Sequence, residues 1–289
     1  MDTSNTVNIP IAVEATARPV VILRPRTGFL DLDLAEVWGY RELLYFLIWR
    51  ELKVRYKQAA IGAGWAIIQP VFMVLIFSAV FGMFARIPSD GFPYPVFAFT
   101  AVLAWTYFSQ ALGRCSTGLV EDAELIRKIY FPRLILPFSA VVAPLVDLLL
   151  ALPVLLAMML WYGIIPSPNI LVLPFFVLLA LLLALACGLW LGPINVRYRD
   201  IKHVIPFLIQ VWMFASPVVY PVSMVPERWQ LLYSLNPMVG VIEGFRWAVL
   251  GQGSPNLVAI AISVLAVLVL LAGGLVYFSR MQRYFADVI

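Results

Sequence analysis

The sequence predicts an all-α integral membrane protein with six transmembrane helices, an N-terminal amphipathic interface helix and outer re-entrant helices between spans 5 and 6. Three observations carry that reading. Of the 289 residues, 63% are hydrophobic and 12% charged, against about 25% charged in a soluble domain. Apolar runs long enough to cross a bilayer, about 20 residues each, recur along the chain. Between them the cations collect on one side: Arg41, Arg50, Lys53, Arg55, Lys57, Arg114, Arg127, Lys128, Arg133, Arg197, Arg199, Lys202, Arg280 and Arg283, with only Arg86, Arg228 and Arg246 on the other. Positive charge is retained on the cytoplasmic face during insertion, so both termini are expected in the cytoplasm. The net charge of +4 therefore points to lipid headgroups as the nearer partner, not nucleic acid.

Residues 1–30 read as a flexible cytoplasmic tail, with Pro10, Pro19 and Pro25 among small polar residues. Their one apolar run, 20–23, is too short for a secretory signal. Residues 31–58 read as the interface helix. At 100° per residue, Leu44, Tyr45, Ile48, Trp49, Leu52 and Tyr56 share one face, and Arg50, Lys53 and Lys57 the opposite one. Such a helix is expected in the headgroup layer with its cations toward phosphate, and Glu51 and Arg55 form an i,i+4 pair.

The transmembrane domain is expected over 59–289. Span 1, 61–84, contains Gln69 and Pro70, which removes a backbone donor and predicts a kink beside a wet or packed surface. Span 2, 95–115, leads to a polar stretch in which Glu121, Asp122 and Glu124 precede Arg127 and Lys128, the order that suits a helix dipole. Leu125 and Ile126 give that short helix an apolar face, for docking or for lying on the membrane. Span 3, 134–162, is long and carries Pro137, Pro144 and Pro153, so a tilted or broken helix is expected. It also holds Asp147, about 20 Å deep by helical rise. An acid there costs about 2.5–3.5 kcal/mol on insertion scales, so it must face a polar cavity, find a partner or stay protonated. No cation on another span sits at its depth. Span 4 covers 170–191 and span 5 covers 204–220. Asn236 as N-cap and Pro237 as first helical residue open a helix to Leu250. With Glu243 and Arg246 one turn apart, it reads as part of an outer hairpin. Span 6 is 257–278.

Several function classes are disfavoured. None of the four lysines, Lys53, Lys57, Lys128 and Lys202, follows a glycine, so the phosphate-cradling Gly-Lys-Ser/Thr loop is absent. No metal-ligand set and no Ser/His/acid set stands out, and Cys115 and Cys187 read as small buried hydrophobes. Asp147 alone is thin support for a proton relay. Aromatics lie within the spans, away from the interfacial belts: Phe72 and Phe77 in the first, Tyr107 and Phe108 in the second, Trp212 and Phe214 in the fifth, with Tyr220 at its end. They could line a passage for sugar rings; ordinary helix packing is the competing account.

A series of motifs adds to this reading: the basic helix 40–57, Gln69-Pro70, residues 128–133 (Lys-Ile-Tyr-Phe-Pro-Arg), 195–200 (Asn-Val-Arg-Tyr-Arg-Asp), 216–220 (Ser-Pro-Val-Val-Tyr) and Asn236-Pro237. In this order they resemble the permease subunit of ABC-2 type polysaccharide exporters, O-antigen exporters most of all. The resemblance spans about 38–285, and capsule and teichoic acid exporters share it. It implies a channel-forming subunit in the bacterial inner membrane, without its own ATP site or cofactor, that moves a lipid-linked polysaccharide from cytoplasm to periplasm. It implies a homodimer joined by two copies of a separate ATPase subunit that carries ATP and Mg. On this sequence, Glu121, Asp122, Leu125, Ile126, Arg127 and Lys128 become the segment that couples to the ATPase. Arg50, Lys53, Arg55 and Lys57 become the entrance for the lipid pyrophosphate. Phe72, Phe77, Tyr107, Phe108, Trp212, Phe214 and Tyr220 become the glycan channel, and Asn236, Pro237, Glu243 and Arg246 the outer re-entrant segment. An ABC-2 exporter of drugs or lipids, a membrane scaffold and a proton-driven carrier remain as rival readings.

Overall fold

The computed structural model describes residues 34–57, 62–198, 200–251, 256–282 and 285. The expected N-terminal tail, Arg199 and Arg283 lie outside the described residues. Helices account for every regular element among those described. Two short helices, α1 (Leu34–Gly39) and α2 (Arg41–Lys57), precede α3 (Trp65–Phe77), which passes directly into a π-helical segment, Ser78–Phe84. Then follow α4 (Tyr94–Glu121), α5 (Ala123–Lys128), α6 (Ile135–Val142), α7 (Leu145–Trp161), α8 (Leu173–Arg197), α9 (Ile201–Phe214), α10 (Glu227–Tyr233), α11 (Pro237–Leu250) and α12 (Leu257–Met281).

Five helical stretches are long and apolar enough to cross a membrane: Trp65–Phe84, Tyr94–Glu121, Ile135–Trp161, Pro168–Arg197 and Leu257–Met281. They correspond to expected spans 1, 2, 3, 4 and 6. The expected fifth span is shorter than 204–220 suggested. α9 has 14 residues, about 21 Å by helical rise, and stops at Phe214. Pro217 explains the stop, because a continuing helix would need a donor that proline lacks and would clash with the preceding turn. Span 3 is broken as expected, with Ala143 and Pro144 between α6 and α7. Span 2 is longer than expected: α4 continues to Glu121, and the helix breaks at Asp122 (φ −95°, ψ 19°) before α5.

α4 forms the centre of the bundle. Its residues from Val96 to Ala104 are almost wholly buried, and it packs against α3, α6, α7, α8, α9 and α11. α3 and α12 lie outside it and expose Phe72, Leu75, Ile76, Leu265 and Val269. α11 is buried among α4, α8 and α12. Its start is fixed by local chemistry, since the Asn236 side chain accepts from the Met238 N–H and Pro237 occupies the first turn. Gly251, with φ of +73°, ends it in the left-handed conformation that glycine adopts without strain. Gly240 and Gly244 let the neighbours approach, and a Cβ at Gly244 would strike the Phe176 ring on α8. Gly244→Ala is therefore expected to lower stability by about 1–3 kcal/mol through overpacking, read as a lower melting temperature of the purified protein in detergent.

Candidate functional site

α2 is positioned by Leu47, its one fully buried side chain, and packs on α6. Tyr45, Phe46 and Trp49 remain exposed, which leaves Glu51 and Arg55 directed into the bundle. There a chain of opposite charges begins. Arg50 reaches Asp122 at 2.6 Å. Arg114 of α4 holds Glu51 of α2 at 2.5 Å, pairs with Glu121 and lies 3.8 Å from Asp122. Arg55 lies 3.9 Å from Glu51 and forms an ion pair with Asp147 of α7. Tyr56 donates to the other oxygen of Asp147, and Arg55 also donates to Gln110 of α4 at 3.2 Å. These contacts form one ladder from the α4–α5 junction, along α2, to the acid within the third span.

The partner of Asp147 therefore comes from α2, which is not a span, and comparison of depth among spans alone could not find it. The same geometry separates the four expected entrance residues into two pairs. Arg50 and Arg55 are committed to acids of the bundle, and of the four expected entrance residues Lys53 and Lys57 stand exposed, with no ion pair seen among the described residues. Beside Asp147 lies a cavity of about 10 Å³, bordered by Ala66, Pro70, Thr106, Tyr107 and Gln110, the room of about one water molecule. Pro70 thus borders a small cavity of mixed lining, to which Leu103, Leu148 and Ala151 also contribute.

The expected coupling residues divide. Glu121 ends α4, and Asp122 is the break itself; both turn back to Arg114 and Arg50. α5 holds the rest: Arg127 is exposed, Lys128 pairs with Glu124 at 3.0 Å, and Leu125 and Ile126 are half-buried against the bundle.

The expected channel aromatics also divide. Tyr107 and Phe108 are buried within the chain, with exposures of 2% and 0%, and present no surface to a passage in this conformation. Tyr107 donates to the Val141 carbonyl at 3.0 Å. Phe77 is buried against Phe81. Trp212 meets Phe108 edge to face at 5.0 Å, and its indole N–H donates to Asn236 at 2.9 Å. Asn236 in turn donates to the Ala215 carbonyl and the Ser216 hydroxyl, so one side chain joins the end of α9 to the start of α11. Phe72 and Phe214 are exposed. Tyr220 accepts from the Tyr233 hydroxyl and donates to the Phe214 carbonyl. Burial and then the bond with Tyr220 push the Tyr233 phenol above its ordinary pKa, so it remains a neutral donor. Arg246 is buried over the Phe97 ring, 3.6 Å from its centroid, and donates to Glu243 and to the Val218 carbonyl, which ties α11 to the turn after α9.

Sequence reasoning missed Glu51 and Arg114 as site residues. Their signal was present in part: Arg114 and Glu121, seven residues apart on α4, occupy the same helical face. Among the described residues no cluster of acids, cysteines and histidine could hold a metal ion.

The profile of the family described as ABC-2 type transporter matches residues 42–250. The chain belongs to this family. It is 31% identical over 252 residues to the O-antigen export system permease protein RfbA of Myxococcus xanthus, a match covering 86% of this chain and 96% of that one. An O-antigen export system permease protein RfbA of Klebsiella pneumoniae is 25% identical over 262 residues, covering 90% of this chain and 100% of the relative. The polysialic acid transport protein KpsM of Escherichia coli is 27% identical over 213 residues, covering 71% and 80%.

Arg114 is the cation shared by Glu51, Glu121 and Asp122, and its side chain is 24% exposed. Arg114→Met is expected to lower stability by about 1–2 kcal/mol, less than the loss of a fully buried pair because solvent screens it. Thermal unfolding checks this, with Lys53→Met, outside the ladder, expected to leave the melting temperature unchanged.

Proposed function

We propose that the chain is the membrane subunit of an ATP-driven exporter that moves a lipid-linked polysaccharide of O-antigen type from cytoplasm to periplasm. In this reading two copies form the conduit in the bacterial inner membrane, with both termini cytoplasmic. Two copies of a separate ATPase subunit supply ATP hydrolysis with Mg. The observation that carries the reading is similarity to O-antigen export permeases over 86% of the chain at 31% identity. The clustering of basic residues beside α2 and α5 supports the orientation. The match to a polysialic acid transport protein favours capsule polysaccharide as the second reading.

The chemistry divides along the chain. Docking of the ATPase on α5 uses Arg127 and Lys128 for charge and its apolar residues for burial. α2 follows, because Arg50 and Glu51 are tied to the α4–α5 junction. Lys53 and Lys57 attract the phosphates of the lipid carrier at the cytoplasmic mouth, and exposed rings such as Phe72 and Phe214 stack on sugar faces between the two copies. The segment 226–250 shapes the outer exit.

Loss of this chain is expected to leave lipid-linked polysaccharide inside the cell and remove it from the surface, which fractionation and glycan staining measure. Normal surface glycan in the deletion strain contradicts the reading. Arg127→Glu with Lys128→Glu is expected to reduce export at least about tenfold, as one misplaced interfacial charge pair can, while the melting temperature is kept; full export removes these residues from the coupling role.

A further inference from the structure

Asp147 holds two donors that suit a phosphoryl group as well as a carboxylate. Its oxygens are taken one each by the Arg55 guanidinium and the Tyr56 hydroxyl, consecutive residues in the last turn of α2. Arginine and a hydroxyl donor side by side match two oxygens of a phosphate as they match those of a carboxylate. The Arg55 side chain is 30% exposed, whereas that of Asp147 is 10% exposed, and Tyr56 is half-buried, so the cation is more open to the surface than the acid. Lys57, exposed one residue beyond Tyr56, raises the local positive potential.

The acid also has somewhere to rest. Gln110, Thr106 and the cavity of about 10 Å³ lie on its inner side, with room for about one water. Arg55, once released, remains beside Glu51 at 3.9 Å, and Glu51 is held by Arg114 at 2.5 Å. A change at Arg55 therefore meets the ladder that ends at the α4–α5 junction.

We propose that Arg55 and Tyr56 form a binding site for the phosphoryl group of a lipid headgroup, and that Asp147 is its built-in competitor, a latch that the headgroup displaces. The inference rests on the reading of a cationic entrance for a lipid-linked substrate and assigns its regulation to one named acid. Binding moves a charge pair without any covalent step. The acid loses its cation, the phosphate gains it, and α2 is freed from α7 while still joined to α4.

The test uses the full chain assembled with its ATPase in nanodiscs, titrated with polyprenyl pyrophosphate and, in parallel, with inorganic pyrophosphate. Asp147→Asn is expected to bind the polyprenyl form about tenfold tighter than wild type, Arg55→Gln about tenfold weaker, and the double variant like Arg55→Gln. Wild-type affinity in a folded Asp147→Asn variant overturns the latch and wild-type affinity in Arg55→Gln overturns the Arg55–Tyr56 site, whereas wild-type affinity in Lys53→Gln with Lys57→Gln overturns the entrance reading beneath it. Equal gains with inorganic pyrophosphate overturn the assignment to lipid. Where Asp147→Asn does not fold, spin labels at the exposed positions Val54 and Leu149, in a background carrying Cys115→Ala and Cys187→Ala, measure the α2–α7 separation directly. The distance is expected to lengthen on adding polyprenyl pyrophosphate, and an unchanged distance overturns the latch.

Discussion

A carboxylate within an apolar span needs a counter-charge, and that need organises the inner half of this bundle. Helix α7 carries no other charged residue than Asp147. Isolated there, the ionised acid would cost several kcal/mol, about what removal of one partner from a buried pair costs. Arg55 and Tyr56 supply the partner, and both lie on α2. The requirement of α7 thus fixes where α2 ends, how it is rotated about its axis and which of its residues face inward. Glu51, four residues before Arg55, then meets Arg114, and Arg50 meets Asp122. A helix that composition alone would lay flat among headgroups is attached at three points to the helices it borders.

The outer half is organised differently, by neutral hydrogen bonds and close packing. Asn236 satisfies groups on the end of α9 and the first turn of α11 together. Arg246 does the same for α11 and the turn at Val218, with its guanidinium flat on Phe97. The two halves meet along α4, whose ends carry Tyr94, bonded to the Val219 carbonyl, and Arg114 in the ladder. α4, largely buried along its length, thus connects the α4–α5 junction to the outer half.

What the sequence made legible follows the range of the interaction. The cap at Asn236 and Pro237, a break within the proline-bearing third span and the apolar runs depend on neighbours a few residues away, and each could be read directly, though not which proline marks the break. The ladder joins residues 72 and 92 positions apart; nothing local marks Arg55 as a partner of Asp147 rather than of phosphate. Aromatic positions were equally opaque, because a phenylalanine has the same hydropathy whether it faces lipid, a neighbour or a passage. Tyr107 and Phe72 therefore looked alike, and only packing separates the buried ring from the exposed one. The fifth span was overestimated because apolar residues after Phe214 continue the hydropathy signal through a turn that Pro217 imposes.

The dependence of α2 on the acid in α7 is most directly tested by a double-mutant cycle in thermal unfolding with Arg55→Met, Asp147→Leu and their combination. The account predicts that each single change leaves an unpaired charge and destabilises the protein. The combination recovers much of the loss, with a coupling of about 1–3 kcal/mol. Additive losses across the cycle would contradict it.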